Sequence, residues 1–175
     1  MKFSKAILPL VISAFFAGSA FAANPTDPEI AEILKTANDG EMKVAKVAKS
    51  HAENKDVQDF AKMMIESHKK NEKEGKEVFK KAKIKPKSNE TAKLMKKETE
   101  AKIKELKAQK KNSAEFDRAY IESQIAMHQQ LLNDLDATLI PNAKSEDLKT
   151  YLTETRNHVQ EHLTKAQQIQ TSMMK

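Results

Sequence analysis

The chain has no cysteine and no tryptophan. Without a thiol there can be no disulfide framework, no thiolate metal site and no lipid-bearing cysteine at a processed N-terminus. Glycine occurs three times, once near the N-terminus and then at Gly40 and Gly75. So little glycine suits an all-helical bundle far better than a sheet. It also leaves no Gly-rich phosphate loop, and no residue has the setting of a triad nucleophile, so nucleotide binding and triad hydrolysis are not expected.

What is present begins with a leader. Lys2 and Lys5 precede an apolar run from Ala6 to Phe16, and "SAFA" ends in the small-x-small pair Ala20 and Ala22. This reads as a secretory signal peptide over residues 1–22, cut before Ala23. The run is shorter than the roughly 20 apolar residues a membrane span needs. The mature chain, 23–175, is expected to be a single domain in the periplasm. Loss of Lys2 and Lys5, with no acid, takes the formal charge from +6 to +4.

Helical spacing of apolar residues runs along the rest of the chain. Ile30, Ile33, Leu34, Ala37, Val44, Ala45 and Ala48 mark a first helix over 28–52, with Asp27 as its N-cap. Val57, Phe60, Ala61, Met64 and Ile65 open a second that reaches about Ala82, where Pro86 forbids continuation. A lysine-rich helix over 90–109 carries a thin stripe of Ala92, Met95, Thr99, Ile103 and Leu106. Two more long helices are predicted over 115–138 and 145–173, separated by "IPNAKSED". The lysine-rich segment is about 30 Å long, the length of such a bundle, so it can carry the chain back along it. The predicted fold is all-α: a ferritin-like four-helix bundle with an extra helix in the crossover between the second and third long helices. The alternative is up-down-up-down with that helix folded aside.

Each long helix puts one ionisable residue on its apolar seam. Glu41 is seven residues from Leu34, His68 from Ala61, His128 from Ile121 and Leu135, and His162 from Thr155 and Ile169. A seven-residue step drifts by only about 20°, so all four point inward. With the crossover they also fall near one height. His158 is at that level but about 40° off the seam. One inward ligand per helix at mid-height is how helix bundles build metal sites. Three imidazoles and a carboxylate suit a single zinc, copper or iron ion. The same residues can instead satisfy one another by hydrogen bonds, helped by Tyr120 or Gln124, with no ion. A ferritin-type di-iron site needs Glu-x-x-His, and Ile65, Ile125, Thr155 and Val159 occupy the positions three before the histidines. Met63, Met64 and Met127, close in sequence to His68 and His128, offer a copper variant or simply fill the core. His51, at the end of its helix, reads as a surface residue.

Lys80–Lys111 is the other concentration of chemistry, with 13 lysines against four glutamates. Such a segment attracts anionic lipid or polysaccharide, or is a solvated face that keeps the protein soluble. No aromatic residue interleaves the lysines, so specific nucleic-acid binding is not expected. Three readings of function follow: a non-enzymatic metal-binding module, an interaction protein using the lysine-rich helix, and a redox metalloprotein.

"ANDGEMKVAKVA", "DVQDFAKMMIESH", "FDRAYIESQIAMH" and "HLTKA", in that order after a leader, resemble the bacterial periplasmic domain-of-unknown-function family 4142. The resemblance implies a ferritin-like fold and picks out Glu41, Phe60, His68, Phe116, Asp117, Tyr120, His128 and His162. It implies no activity. Two positions depart from the family pattern: Ser67 stands where an aspartate is usual, and Asn157 where a proline is common.

Overall fold

The structure is a computed structural model that describes residues 24–175, so the leader and its cleavage point lie outside the described residues. It consists of α1 (Asp27–His51), α2 (Lys55–Lys81), α3 (Glu90–Ala108), α4 (Ala114–Asp134), a π-helical stretch (Leu135–Leu139), α5 (Ile140–Asn142) and α6 (Glu146–Met173). Among the described residues there is no strand. The expected all-α bundle is what forms.

Local chemistry starts the helices where the sequence has capping residues. The side chains of Asn54, Asn89, Ser113 and Ser145 accept from Asp56, Ala92, Phe116 and Leu148 N–H respectively, each satisfying an otherwise orphaned donor. The start of α1 differs from expectation. Its N-cap is Thr26, whose N–H and hydroxyl both donate to the Glu29 carboxylate, at 2.9 and 2.7 Å. Asp27 acts instead at longer range. Its carboxylate accepts from Lys144 and Ser145 N–H at 2.8 and 2.9 Å, holding the turn into α6. Asp117 does the same at the other end, accepting from Glu53 and Asn54 N–H in the α1–α2 turn at 3.0 and 2.7 Å.

These bonds fix the topology. The start of α3 sits at the start of α1, since Lys87 N–H donates to Pro28 carbonyl and Asn89 to Glu29 carbonyl. The link after α3 sits at the far end of α1, where Asn112 N–H donates to His51 carbonyl. The lysine-rich helix therefore runs the length of α1, and α4 starts at the end where α2 starts. Helices α2 and α4 run parallel, as the crossover requires. The third long helix also extends beyond the expected stop at Thr138. Pro141 cannot donate to the preceding turn, and the chain passes it by widening to π geometry, with Ile140 N–H reaching Leu135 carbonyl.

The apolar core is in two parts. Near the α1–α2 turn it comprises Val44, Phe60, Met64, Leu106, Phe116, Tyr120 and Ile121; near the opposite end, Ile30, Leu34, Phe79, Leu135, Leu148 and Leu152. Between them, every long helix contributes polar residues to one buried layer: Asn38 and Glu41, His68 and Asn71, Gln124 and His128, Thr155 and His162.

Two close helix approaches rest on glycine. A Cβ on Gly40 would lie 2.7 Å from Thr99 Oγ1, so its absence lets α3 seat on α1. A Cβ on Gly75 would lie 2.7 Å from Tyr151 Oη and 3.0 Å from Cζ. Tyr151 has little freedom to retreat, because its hydroxyl donates to Asn71 carbonyl at 2.9 Å and its ring packs edge-on against Phe79. Gly75→Ala gains about 1 kcal/mol of helix propensity but meets overpacking of about 1–3 kcal/mol. Urea unfolding should show a net loss near 1 kcal/mol, and a smaller loss when the same change is made in Tyr151→Phe.

Candidate metal centre

The polar layer brings three of the sequence-marked residues together. His68 on α2, His128 on α4 and His162 on α6 have ring centroids 5.3 to 6.3 Å apart. Each offers a ring nitrogen to a group lying within 4.8 Å of one another. The three residues are 5, 2 and 6 % exposed. Helical phase and a common height accomplish this, as the heptad spacing anticipates.

One nitrogen of each ring is held. His68 Nδ1 donates to Asn38 Oδ1 at 2.9 Å. The same oxygen accepts from Asn71 Nδ2 at 3.2 Å, and Asn71 Oδ1 accepts from the Thr155 hydroxyl at 3.2 Å. This chain orients the Asn38 amide and puts the His68 proton on Nδ1. His128 Nδ1 lies 2.9 Å from Gln124 carbonyl, which can only accept, so its proton is on Nδ1 as well. His162 Nε2 lies 2.9 Å from Ser67 Oγ, which can accept from it.

The other nitrogen of each ring, Nε2 of His68 and His128 and Nδ1 of His162, is buried without a hydrogen-bond partner. For His68 and His128 the assigned protons make these the lone-pair nitrogens, and His162 Nδ1 is one when its Nε2–H donates to Ser67. Burial holds all three imidazoles neutral: His68 is driven well below the usual imidazole range, His128 to about 4 and His162 to about 3. For His68 and His162 the neighbouring histidines reinforce the effect. Three neutral donors facing one another can hold a metal ion. In a tetrahedral zinc site the ligand nitrogens are about 3.3 Å apart, so modest side-chain closure completes the contact. Ser67 meets His162 as a neutral hydroxyl.

The remaining sequence-marked residues are placed differently. Glu41 is buried one turn beyond Asn38 on α1, but its carboxyl is outside the converging group. Burial pushes it up to about 7, with the nearby Gln124 amide opposing. Its Oε2, the Tyr120 hydroxyl and both Gln124 amide atoms have no hydrogen-bond partner among the described residues. Of the alternative in which the histidines and Glu41 satisfy one another with help from Tyr120 or Gln124, the geometry holds the Gln124 carbonyl on His128 Nδ1. Asn38, Asn71, Thr155 and Ser67 also serve the histidines, and only three-dimensional adjacency singles them out. His158 is on the surface side of α6, its side chain 43 % exposed and 3.7 Å from Glu161. Met64 fills the core beside Phe60. Met127 lines a small cavity with Glu41, Glu98 and Lys102. His51 is half-buried and stacks on Phe116, 5.6 Å between centroids.

A family described as a domain of unknown function (DUF4142) matches residues 16–169. The chain belongs to that family. No curated protein and no solved structure matches it. Within this DUF4142 chain the histidine group is the one set of three or more potential metal ligands that converge among the described residues. No helix among those residues is long and apolar enough to cross a membrane.

The buried imidazoles give the metal-free protein an acid limit. Their folded pKa values are depressed, so their stability contribution is full above the unfolded value of about 6.5 and lost as pH falls towards 4. Glu41 acts oppositely: raised to about 7, it contributes stability below its unfolded pKa and loses it as pH rises through 7. Three imidazoles against one carboxyl leave a net uptake of about two protons on unfolding between pH 6 and 5, a slope of up to about 3 kcal/mol per pH unit. Urea titrations of metal-free protein across that interval should show this loss, and His128→Gln should flatten it.

Proposed function

We propose that this protein is a non-enzymatic periplasmic metal-binding module that holds one transition-metal ion on His68, His128 and His162. The observation that carries the reading is the shared state of the three rings: each is buried and neutral, tied at one nitrogen and unpartnered at the other. Leaving three such nitrogens unpaired costs about 1–3 kcal/mol each, and an ion would satisfy all three at once. The held nitrogens have the outer partners that metal-ligating histidines use to fix ring orientation. An all-imidazole set suits zinc or copper, and the absence of a converging carboxylate makes it a poorer match to the two-histidine, one-carboxylate iron pattern. The periplasmic assignment rests on the leader sequence. Glu41, about half protonated at pH 7, lies outside the converging set.

Protein purified without an affinity tag should contain close to one zinc or copper per chain, and dialysis against a chelator should lower its melting temperature, restored by adding metal. His128→Gln should remove the metal-dependent part of that temperature. Asn38→Ala and Ser67→Ala, which release a ring without removing a ligand, should weaken affinity about 10–100-fold. Absence of zinc, copper and iron from the wild type, with no thermal response to any of them, would refute the proposal.

A second reading, which can coexist with the first, is supported by the placement of the lysines. In the 80–111 segment all are exposed except Lys102, which is buried and bonded to Glu105. Of the exposed ones only Lys81, Lys93 and Lys96 have an acidic partner at ion-pair distance among the described residues. Lys93, Lys97, Lys104 and Lys107 fall within about 80° around α3, with Glu100 the acid among them. This face would bind an anionic lipid surface by charge, at about 1 kcal/mol per lysine near the surface. Changing those four to glutamine should weaken binding to anionic vesicles at least a hundredfold at low salt. Equal binding by the two proteins, or none by the wild type, would leave the segment as a solvated face.

A further inference from the structure

The three imidazoles are buried, yet an ion must reach them. On the side of the bundle away from α3, a groove of about 900 Å3 runs between α2 and α6. Asp56, Asp59, Glu66, Glu74 and Glu161 line it against only Lys70 and Lys165, on a chain whose overall charge is positive. Such a groove concentrates cations. Behind it lies a small cavity of about 20 Å3, large enough for a single water, lined in part by His68 and His162.

Four residues line both spaces: Ser67, Asn71, His158 and His162. Three are tied down. Ser67 and His162 bond each other, and Asn71 bonds Asn38 and Thr155 by its side chain. His158 is different: it is part-exposed and pairs with Glu161 at 3.7 Å on the surface. It also precedes His162 by one helical turn. Histidines at i and i+4 share a face and can grip one ion, and His162 keeps a buried Nδ1 without a partner.

Resting on the reading of the three buried histidines as a metal centre, we propose that His158 and Glu161 form an outer, transient coordination position through which a divalent transition-metal ion enters and leaves. The ion sheds part of its water shell on Glu161 and His158 in the groove. It is next shared by His158 and His162. It then passes to His68, His128 and His162 as His158 lets go. Because His162 belongs to both positions, the ion is never left without a protein ligand. In release the same steps run backwards, so the outer pair changes rates and leaves the resting affinity alone.

The experiment is stopped-flow transfer of zinc between a chromogenic chelator and the full mature chain, in both directions, alongside equilibrium competition. His158→Gln and Glu161→Gln should each slow uptake and release about tenfold while Kd stays within about threefold of wild type. Gln168→Ala, on the same groove, should change neither. His128→Gln should abolish equilibrium binding, which tests the centre separately. Wild-type transfer rates in His158→Gln overturn the outer position and leave the centre standing. A tenfold or greater loss of affinity in His158→Gln also overturns it, by placing His158 in the resting coordination set. A wild type that takes up no zinc, and no copper or ferrous iron in the same assay, overturns both.

Discussion

The structure depends on a polar layer through the middle of an otherwise apolar bundle. Three neutral imidazoles meet there, and burying them is unfavourable unless their polar atoms are satisfied. The protein meets half of that requirement with its own groups, namely Asn38, the Gln124 carbonyl and Ser67. The other half is left open on nitrogens directed into a common region. A bundle needing only register could have paired these rings with Glu41, which is buried nearby and keeps an unpartnered oxygen of its own. Instead the carboxyl stays apart, and burial raises it to about 7, so that it is about half protonated at neutral pH.

Everything that places this layer is conventional helix chemistry acting across the bundle. Two aspartates, Asp27 and Asp117, reach from one helix to cap the turn joining two others, one at each end. They set the heights at which α1, α2, α4 and α6 meet, and a histidine displaced by one residue in height or phase would leave the group. The two apolar clusters above and below then hold the layer rigid. Gly40 and Gly75 let α3 and α6 approach closely where a methyl group would not fit.

The molecule is also two-faced. The lysine-rich α3 covers α1 on one side, while the acid-lined groove between α2 and α6 opens on the other. A crossover helix is the natural place for such a charge, because only one of its faces is needed for packing: Ala92, Thr99, Ile103 and Leu106 face the bundle, and the rest is available for lysine. Any anionic surface engaging α3 would leave the groove leading to the histidines exposed.

Much of this was legible in the sequence. Periodicity of 3.6 residues marked the helices, the length of the lysine-rich segment implied the crossover, and seven-residue spacing pointed His68, His128 and His162 inward, because helical phase is a local property. Local rules misplaced two details: Thr26 caps α1 because Glu29 is its reciprocal partner and Asp27 is drawn to the α6 turn, and Pro141 is absorbed by a wider helical turn rather than ending the helix. What only the tertiary structure decided was which polar atoms are satisfied. Asn38, Ser67, Asn71 and Thr155 carry no distinguishing spacing, and His158 reads as a near miss of the seam until α2 is packed beside α6. The separation of Glu41 from the three rings was equally invisible, since spacing along a helix gives direction and height, and the distance between side chains on different helices is set by how closely those helices pack.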